Sequence, residues 1–462
     1  MTGDAGGRRI AVIGAGPAGL YALQALLNLP DVEAVDVFDA LPAPYGLVRY
    51  GVAPDHEKTK TVIRTFLAHL ESPKVRFLGN VRFGRDLHVE DLRRHYDATV
   101  FSTGAPGDRS LGIPGEDLPG SDSATRFVNW YCGLPEAPPF RLAGATTAVV
   151  IGAGNVALDV ARILAKDAAE LTPTDVPDPV LELLRESTIR DIHLVARRGP
   201  AQAKYSTVEL REMGELDNAD IVVDPADLDL DRPSRETVES SRPAAITVRV
   251  LGEWAKRDPF GRPRRVIFHY WTRPLEILGD GAVSGVVLEK RQLDDEGATV
   301  GTSRSTVDAE LVLRAVGYRS HPMPGLPFDE DNAVIPNDEG RIVEDGAAVT
   351  GMYVAGWLKR GPTGVIGTNR ADAVQTIRTL TADLADLPWA PERDPAAVPA
   401  LLAAREVHVV DWAGWERLRE REVELGGRRG AASVKLAELA EMLEVCGPAA
   451  PLEGEPPARG TA

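Results

Sequence analysis

The chain has 462 residues, and its 69 acidic against 52 basic side chains give a formal net charge of −17. That balance argues against nucleic acid as the main partner, because phosphate neutralisation needs a basic surface. Its 44% hydrophobic and 26% charged content is that of a globular protein long enough for two or three cores. Nothing at the N-terminus reads as a signal peptide, and no apolar run approaches the ~20 residues of a membrane helix. The only cysteines, Cys132 and Cys446, rule out a CxxC pair, a four-cysteine cluster and a cysteine-based zinc site within one chain. No metal is expected, and a reducing cytoplasm is the plain setting.

Ile10 to Ile13 is a short apolar run that suits a buried parallel strand. Gly14-x-Gly16-Pro17-Ala18-Gly19 follows at once, then a helical pattern through Leu20, Leu23, Leu26 and Leu27. Dinucleotide folds need this order: a tight turn, a bare backbone facing a pyrophosphate, and a glycine where helix and strand pack closely. The helix N-terminus then offers its positive end to the phosphates. A second strand, Ala34–Phe38, ends in Asp39, twenty residues after Gly19, where an acid can accept hydrogen bonds from ribose hydroxyls.

The Pro- and Gly-rich stretch Leu41–His56 is too apolar for a solvated linker, and it should pack on the ligand of the first motif. A helix is predicted from Glu57 to Leu70, and strands at Val75–Leu78 and Ala98–Ser102. Gly104 to Gly120 reads as a domain crossing.

The opening pattern then recurs as Ala148–Ile151, Gly152-x-Gly154-Asn155-Val156-Ala157 and a helix through Leu164. Two such fingerprints fit either two dinucleotides or an internal repeat with one dead site. Both phosphate-contacting glycines are kept in the second copy, which favours two working sites. Its next strand, Ile189–Val195, ends in Arg197-Arg198 where the first motif has Asp39. Paired arginines hold a 2′-phosphate that an acid would repel, so the first site should take an unphosphorylated ribose and the second NADP(H). The insert 168–185 stretches that spacing, and a solvated strand end is the bland alternative.

Helix is also predicted for Lys204–Met213, with Glu209 and Glu212 on one side, and strands for Ile221–Val223, Ile246–Leu251, Val266–Tyr270 and Val286–Leu288. Leu311–Gly317 reads as the return crossing. Gly351–Trp357 and Gly361–Asn369 form a third glycine-dense strand, loop and helix. Helices should run through 391–443 with Trp412 and Trp415 in a core, and residues 448–462 should be a disordered tail.

Four blocks, Pro44–His56, Gly152–Asp159, Arg197–Pro200 and Gly356–Gly367, together resemble adrenodoxin reductase and the bacterial NADPH–ferredoxin reductases, in order and across nearly the whole chain. The resemblance implies an α/β fold of two Rossmann-like, glutathione reductase-type domains, the NADP domain (106–319) inserted in an FAD domain (1–105 and 320–447). It implies that Ala18, Asp39, Leu47 and Val81 line the FAD, with Trp357, Gly364, Val365 and Ile366 closing over the flavin. It places Gly154, Asn155 and Val156 at the NADP pyrophosphate, Arg197 and Arg198 at the 2′-phosphate, and Glu209 on the nucleotide. His56 and Glu212 match the polar pair near the nicotinamide. Asp39 departs from the pattern, since relatives usually carry the longer Glu.

The implied chemistry is hydride transfer from NADPH to FAD N5, then single electrons to a ferredoxin-type iron–sulfur protein. The chain cannot hold a cluster on two cysteines, so the acceptor is a separate protein. Hydride transfer depends on stacking and orientation, so His56 and Glu212 orient the nicotinamide rather than serve as obligatory acid and base; for His56 a purely structural role is the alternative. Ferredoxins are mostly acidic, as this chain is, so a local positive docking patch between the domains is expected, with Arg197, Arg198, Arg211 or Lys359 as candidates. The family suggests a monomer. Two other readings stand beside it: an NADPH-dependent flavin reductase of a small quinone-like acceptor, and a non-catalytic FAD-containing NADPH sensor or scaffold.

Overall fold

The computed structural model describes residues 6–448, so the predicted tail lies outside the described residues apart from Pro448. Two compact units share the chain. The first takes the residues up to Val52, His56–Gly107 and Tyr318 onward; the second takes Ala53–Asp55 and Asp108–Gly317.

In the first unit a seven-stranded sheet runs in the order Asn337–Asp338, Arg341–Glu344, Ala347–Val354, Ala98–Phe101, Arg8–Ile13, Val32–Phe38, Val75–Leu78. The last five are mutually parallel, and the first three pair antiparallel. Arg8–Ile13 is buried along its whole length: Ile10–Ile13 supply the apolar run, and the two arginines before it are buried with acids beside them, Arg8 near Asp97 (3.7 Å) and Arg9 near Asp36 (3.8 Å). The helix Pro17–Leu27 starts with proline in its first turn and packs against the helix Thr368–Asp383.

The single helix predicted over 57–70 is two, Glu57–Lys60 and Ile63–Leu70. The break falls at two β-branched residues, Thr61 and Val62, and the Thr61 hydroxyl donates to the Lys58 carbonyl (2.7 Å). That bond competes with the backbone ladder. Residues 391–443 hold helices Ala397–Ala404 and Trp412–Arg429 and most of Leu439–Cys446, with loops between. Asp411 caps the second of these through the Gly414 N–H (2.8 Å), and Gly430 ends it in the left-handed region (φ 74°). Trp415 is buried and Trp412 half-buried, edge-on to Phe77.

The second unit has a six-stranded parallel sheet, ordered Ser121–Ser123, Leu311–Arg314, Thr147–Ile151, Asp191–Val195, Arg264–His269, Ala219–Val223. One face packs on helices through Ala148, Val150, Ile192 and Leu194. The other packs, through Val149, Ile151 and Val195, on a three-stranded antiparallel sheet, Thr272–Gly279, Val283–Leu293 and Thr299–Asp308. The insert at 168–185 forms helices Ala168–Leu171 and Asp178–Arg185.

One prediction reverses. Ile246–Leu251 is not a strand; it lies inside the helix Arg242–Trp254. Its β-branched content reads as strand, but Ser241 caps the Ala244 N–H, Pro243 fits the first turn, and Thr247, Val250, Leu251 and Trp254 bury one helical face. The helix predicted from Lys204 begins only at Thr207, where Ser206 caps the Glu209 N–H (3.2 Å).

Candidate functional site

The first fingerprint sits at the carboxyl ends of the parallel strands, where an open α/β sheet places its ligand crevice. Gly14 turns the chain at φ 103° and donates to the Phe38 carbonyl (2.7 Å). Gly19 is locked in: a Cβ there would lie 2.0 Å from the Gly14 carbonyl and 2.6 Å from Ser102 Oγ. Gly16 differs, since its only near neighbour is Gly46 Cα at 3.8 Å. Gly46 comes from the Pro- and Gly-rich loop, which the Tyr45 N–H ties to the Ala15 carbonyl (2.8 Å). Two bare backbones thus face each other at the uncapped N-terminus of Pro17–Leu27, beside Ala18 and Leu47. Such a place suits a pyrophosphate.

Asp39 ends its strand beside this turn and is half-buried. Its carboxylate accepts from the Ala15 N–H (2.7 Å) and the Leu41 N–H (2.9 Å). Burial nevertheless pushes its carboxyl up from 3.8 to about 6, against those two donors and the charge of Arg82. Buried Val81 is held next to it, its N–H on the Asp39 carbonyl (2.8 Å). From the far end of the unit, Gly356 approaches so closely that a Cβ on it would meet Ala18 Cβ at 2.5 Å. Trp357 follows, its indole N–H on the Thr363 carbonyl (3.1 Å) and its ring 5.0 Å from that of Tyr318. Gly364 (φ 83°) carries the loop on to exposed Val365 and to Ile366. In the first unit the glycine turn thus lies next to Asp39, Gly46 and, through Ala18, Gly356; His56 lies at the start of the helix Glu57–Lys60.

In the second unit Gly152 is the locked glycine, a Cβ there meeting the Ala315 carbonyl at 2.3 Å, whereas Gly154 has nothing within 4 Å. Gly154 precedes the uncapped helix Asn155–Ala165. Asn155 Oδ1 accepts from the Ser206 N–H (2.7 Å), fixing the start of the Glu209 helix beside the fingerprint, and Val156 packs on the core. Arg197 and Arg198 follow the strand Asp191–Val195 and are exposed at a cavity of about 340 Å³. Glu209 and Glu212 face a residue that sequence reasoning missed, Arg162. This guanidinium, 2% exposed, bridges Asp55 (2.9 and 3.0 Å), Asp159 (2.8 Å), Glu209 (3.5 Å) and Glu212 (3.8 Å). Burial opposes a charge on Asp55, yet Arg162 and Lys166 hold its carboxyl well below the usual range. An arginine inside the apolar run Val160–Ala165 was the available signal.

Lys359 is a correction. Its side chain is 7% exposed, ion-paired with Asp372 (3.2 Å) and donating to Gln375 and Thr376, so it offers no surface charge to a partner. Arg211 is exposed. No helix among the described residues is long and apolar enough to cross a membrane.

Residues 8–198 match the pyridine nucleotide-disulphide oxidoreductase family. NADPH-ferredoxin reductase FprA of Mycobacterium tuberculosis is 43% identical over 94% of this chain and 98% of its own. Human mitochondrial NADPH:adrenodoxin oxidoreductase is 41% identical over 95% and 92%. The solved structure of M. tuberculosis FprA in complex with NADPH superposes with a TM-score of 0.88 at 42% identity, covering 95% of this chain and 99% of that one. The same two-unit α/β plan, with one dinucleotide fold interrupting another, thus carries closely similar sequence from end to end, and the chain belongs to the family of NADPH–ferredoxin reductases and NADPH:adrenodoxin oxidoreductases.

Proposed function

We propose that this enzyme takes reducing equivalents from NADPH and passes them singly, through FAD, to an acidic ferredoxin-type iron–sulfur protein. The observation that carries the reading is the contrast between the two cradles: the same bare glycine turn is followed by Asp39 in one unit and by Arg197-Arg198 in the other. The first therefore suits the unphosphorylated ribose of FAD and the second the 2′-phosphate of NADPH. Relatives named for NADPH, ferredoxin and adrenodoxin support the assignment.

Bound FAD supplies the chemistry of accepting a hydride and releasing electrons one at a time. The chain supplies position. Gly16 and Gly46 leave room for the pyrophosphate, the Pro17–Leu27 helix directs N–H groups at it, and Leu47, Val81 and Trp357 wall the rings. His56 and Glu212 orient the nicotinamide, with Arg162 fixing the Glu209–Glu212 helix face. Docking uses exposed cations such as Arg211 within an otherwise acidic surface. The enzyme acts as a monomer in the cytoplasm; Cys132 and Cys446 are both buried thiols, which suits a reducing compartment.

The test is anaerobic. NADPH, and not NADH at equal concentration, is expected to bleach the flavin, and cytochrome c reduction is expected to require added ferredoxin and to slow as salt rises. Ferredoxin-independent reduction of a quinone at the same rate would favour a small acceptor. An unbleached flavin would sink the reading.

Asp39 adds a pH signature. Its folded value lies above its ordinary one, so the carboxyl supports folding below 3.8 and withdraws that support as pH passes about 6. The ionised form is the better acceptor for ribose hydroxyls. FAD retention is therefore expected to strengthen as pH rises through about 6. Ultrafiltration of the holoenzyme between pH 5 and 8, an interval set around that value, measures it; an unchanged slope in Asp39→Asn would refute the assignment.

A further inference from the structure

We propose that Arg291, held in place by Trp271, is a third cation of the 2′-phosphate pocket and a determinant of NADPH over NADH. The inference rests on the reading above that Arg197 and Arg198 receive that phosphate. All of its residues belong to the second unit.

The cavity of about 340 Å³ beside Arg197 and Arg198 is also lined by Gln202, Trp271 and Arg291. Arg291 reaches it from the middle of the antiparallel sheet, on the strand Val283–Leu293. Its backbone N–H donates to the Trp271 carbonyl (2.9 Å) and its Nη2 to the Arg197 carbonyl (2.9 Å). Its guanidinium carbon lies 5.9 Å from the centre of the Trp271 ring. Among the described residues it has no carboxylate within ion-pair distance. Asp231, the acid in the cavity lining, accepts from the Ser234 N–H (2.9 Å) as cap of the helix Arg232–Ser240. A guanidinium has five N–H donors in a fixed fork, and a carbonyl occupies one. Arg291 shares the lining of this cavity with two more arginines. Three cations with one buried acid form an anion site, and a 2′-phosphate carries about −1.5 to −2 charges for it.

Trp271 explains why this arrangement persists. It sits at φ 56°, a left-handed conformation that a bulky residue adopts only when its surroundings require it. Its N–H donates to the Arg198 carbonyl (3.3 Å). Its ring lies against the Arg197-Arg198-Gly199 turn so tightly that a Cβ on Gly199 would meet it at 2.0 Å. Gly199 is thus a glycine because of Trp271, and the ring braces both the turn and Arg291.

Equilibrium binding of 2′,5′-ADP and 5′-AMP to the FAD-loaded enzyme tests the proposal, because the two ligands differ in the 2′-phosphate alone. Arg291→Leu is expected to weaken 2′,5′-ADP by about 10–30-fold, the scale of one charge-assisted contact, and to leave 5′-AMP within about 2-fold. Arg291→Lys should recover part of the loss. Equal weakening of both ligands would overturn the proposal, since the residue would then serve the adenosine or the fold. Unchanged binding in Arg291→Leu alongside a loss in Arg197→Ala would overturn it while sparing the pocket. If Arg197→Ala, Arg198→Ala and Arg291→Leu all leave the ratio of the two ligands unmoved, the phosphate assignment itself fails.

Discussion

Alanine at Glu422 is expected to destabilise the first unit by about 3–5 kcal/mol, the scale seen when one partner of a buried ion pair is removed. The pair is bidentate: Arg49 Nη1 and Nη2 reach the two Glu422 oxygens at 2.9 and 2.5 Å, with side chains 8% and 3% exposed. Burial works against the Arg49 charge, and Glu422 overrides it, leaving the guanidinium well above its usual range. Each partner is further held. The Leu436 N–H donates to Glu422 (3.0 Å), Lys435 Nζ donates to the Arg49 carbonyl (2.8 Å), and the Arg49 guanidinium lies over Tyr50 and Trp415. Arg49 belongs to the turn Leu47–Tyr50, directly after Gly46 of the first cradle. The Glu422 variant should therefore lose flavin as well as stability, which denaturant unfolding and flavin release on dilution measure. Glu422→Leu combined with Arg49→Met should recover part of the stability, because the buried Arg49 charge is removed together with its acid. An unfolding free energy within about 1 kcal/mol of the parent, below the range for broken buried pairs, would refute this account.

The glycines of the two fingerprints should separate into those the fold needs and those the ligand needs. Gly19→Ala and Gly152→Ala drive a methyl into backbone at 2.0 and 2.3 Å, so each is expected to cost at least about 1–3 kcal/mol, the usual penalty of overpacking. Gly154→Ala meets no atom within 4 Å, and the residue has an ordinary φ of −120°. It should leave stability unchanged or slightly raised, yet weaken NADPH by about 10–100-fold by displacing one charge-assisted pyrophosphate contact. Thermal unfolding paired with NADPH titration distinguishes the two classes. A destabilised Gly154→Ala with intact nucleotide binding would reverse the assignment.

Both fingerprints were legible in the sequence because their information is local: apolar strand, glycine turn and helix follow one another within about fifteen residues. Local signals also misled. Ile246–Leu251 looked like strand from its β-branched residues, and only the cap at Ser241 and the spacing of Thr247, Val250, Leu251 and Trp254 tell otherwise. Lys359 was a candidate for the positive docking patch, but Asp372, one turn into the following helix, neutralises it. The Arg49–Glu422 pair was invisible because its partners are 373 positions apart. Arg291 was hidden likewise, since nothing near it in sequence says that its strand returns to the Arg197 turn.

The three residues Ala53–Asp55 carry a consequence for how the protein can be divided. They belong with the second unit although the chain on both sides of them belongs with the first. A fragment cut at the obvious boundaries, 108–317, would keep Arg162 and lose Asp55, its bidentate partner. The nucleotide module is thus not self-contained as a gene segment. During synthesis Asp55 leaves the ribosome 107 residues ahead of the arginine it will bind, and the inserted unit closes on a piece of chain made long before it.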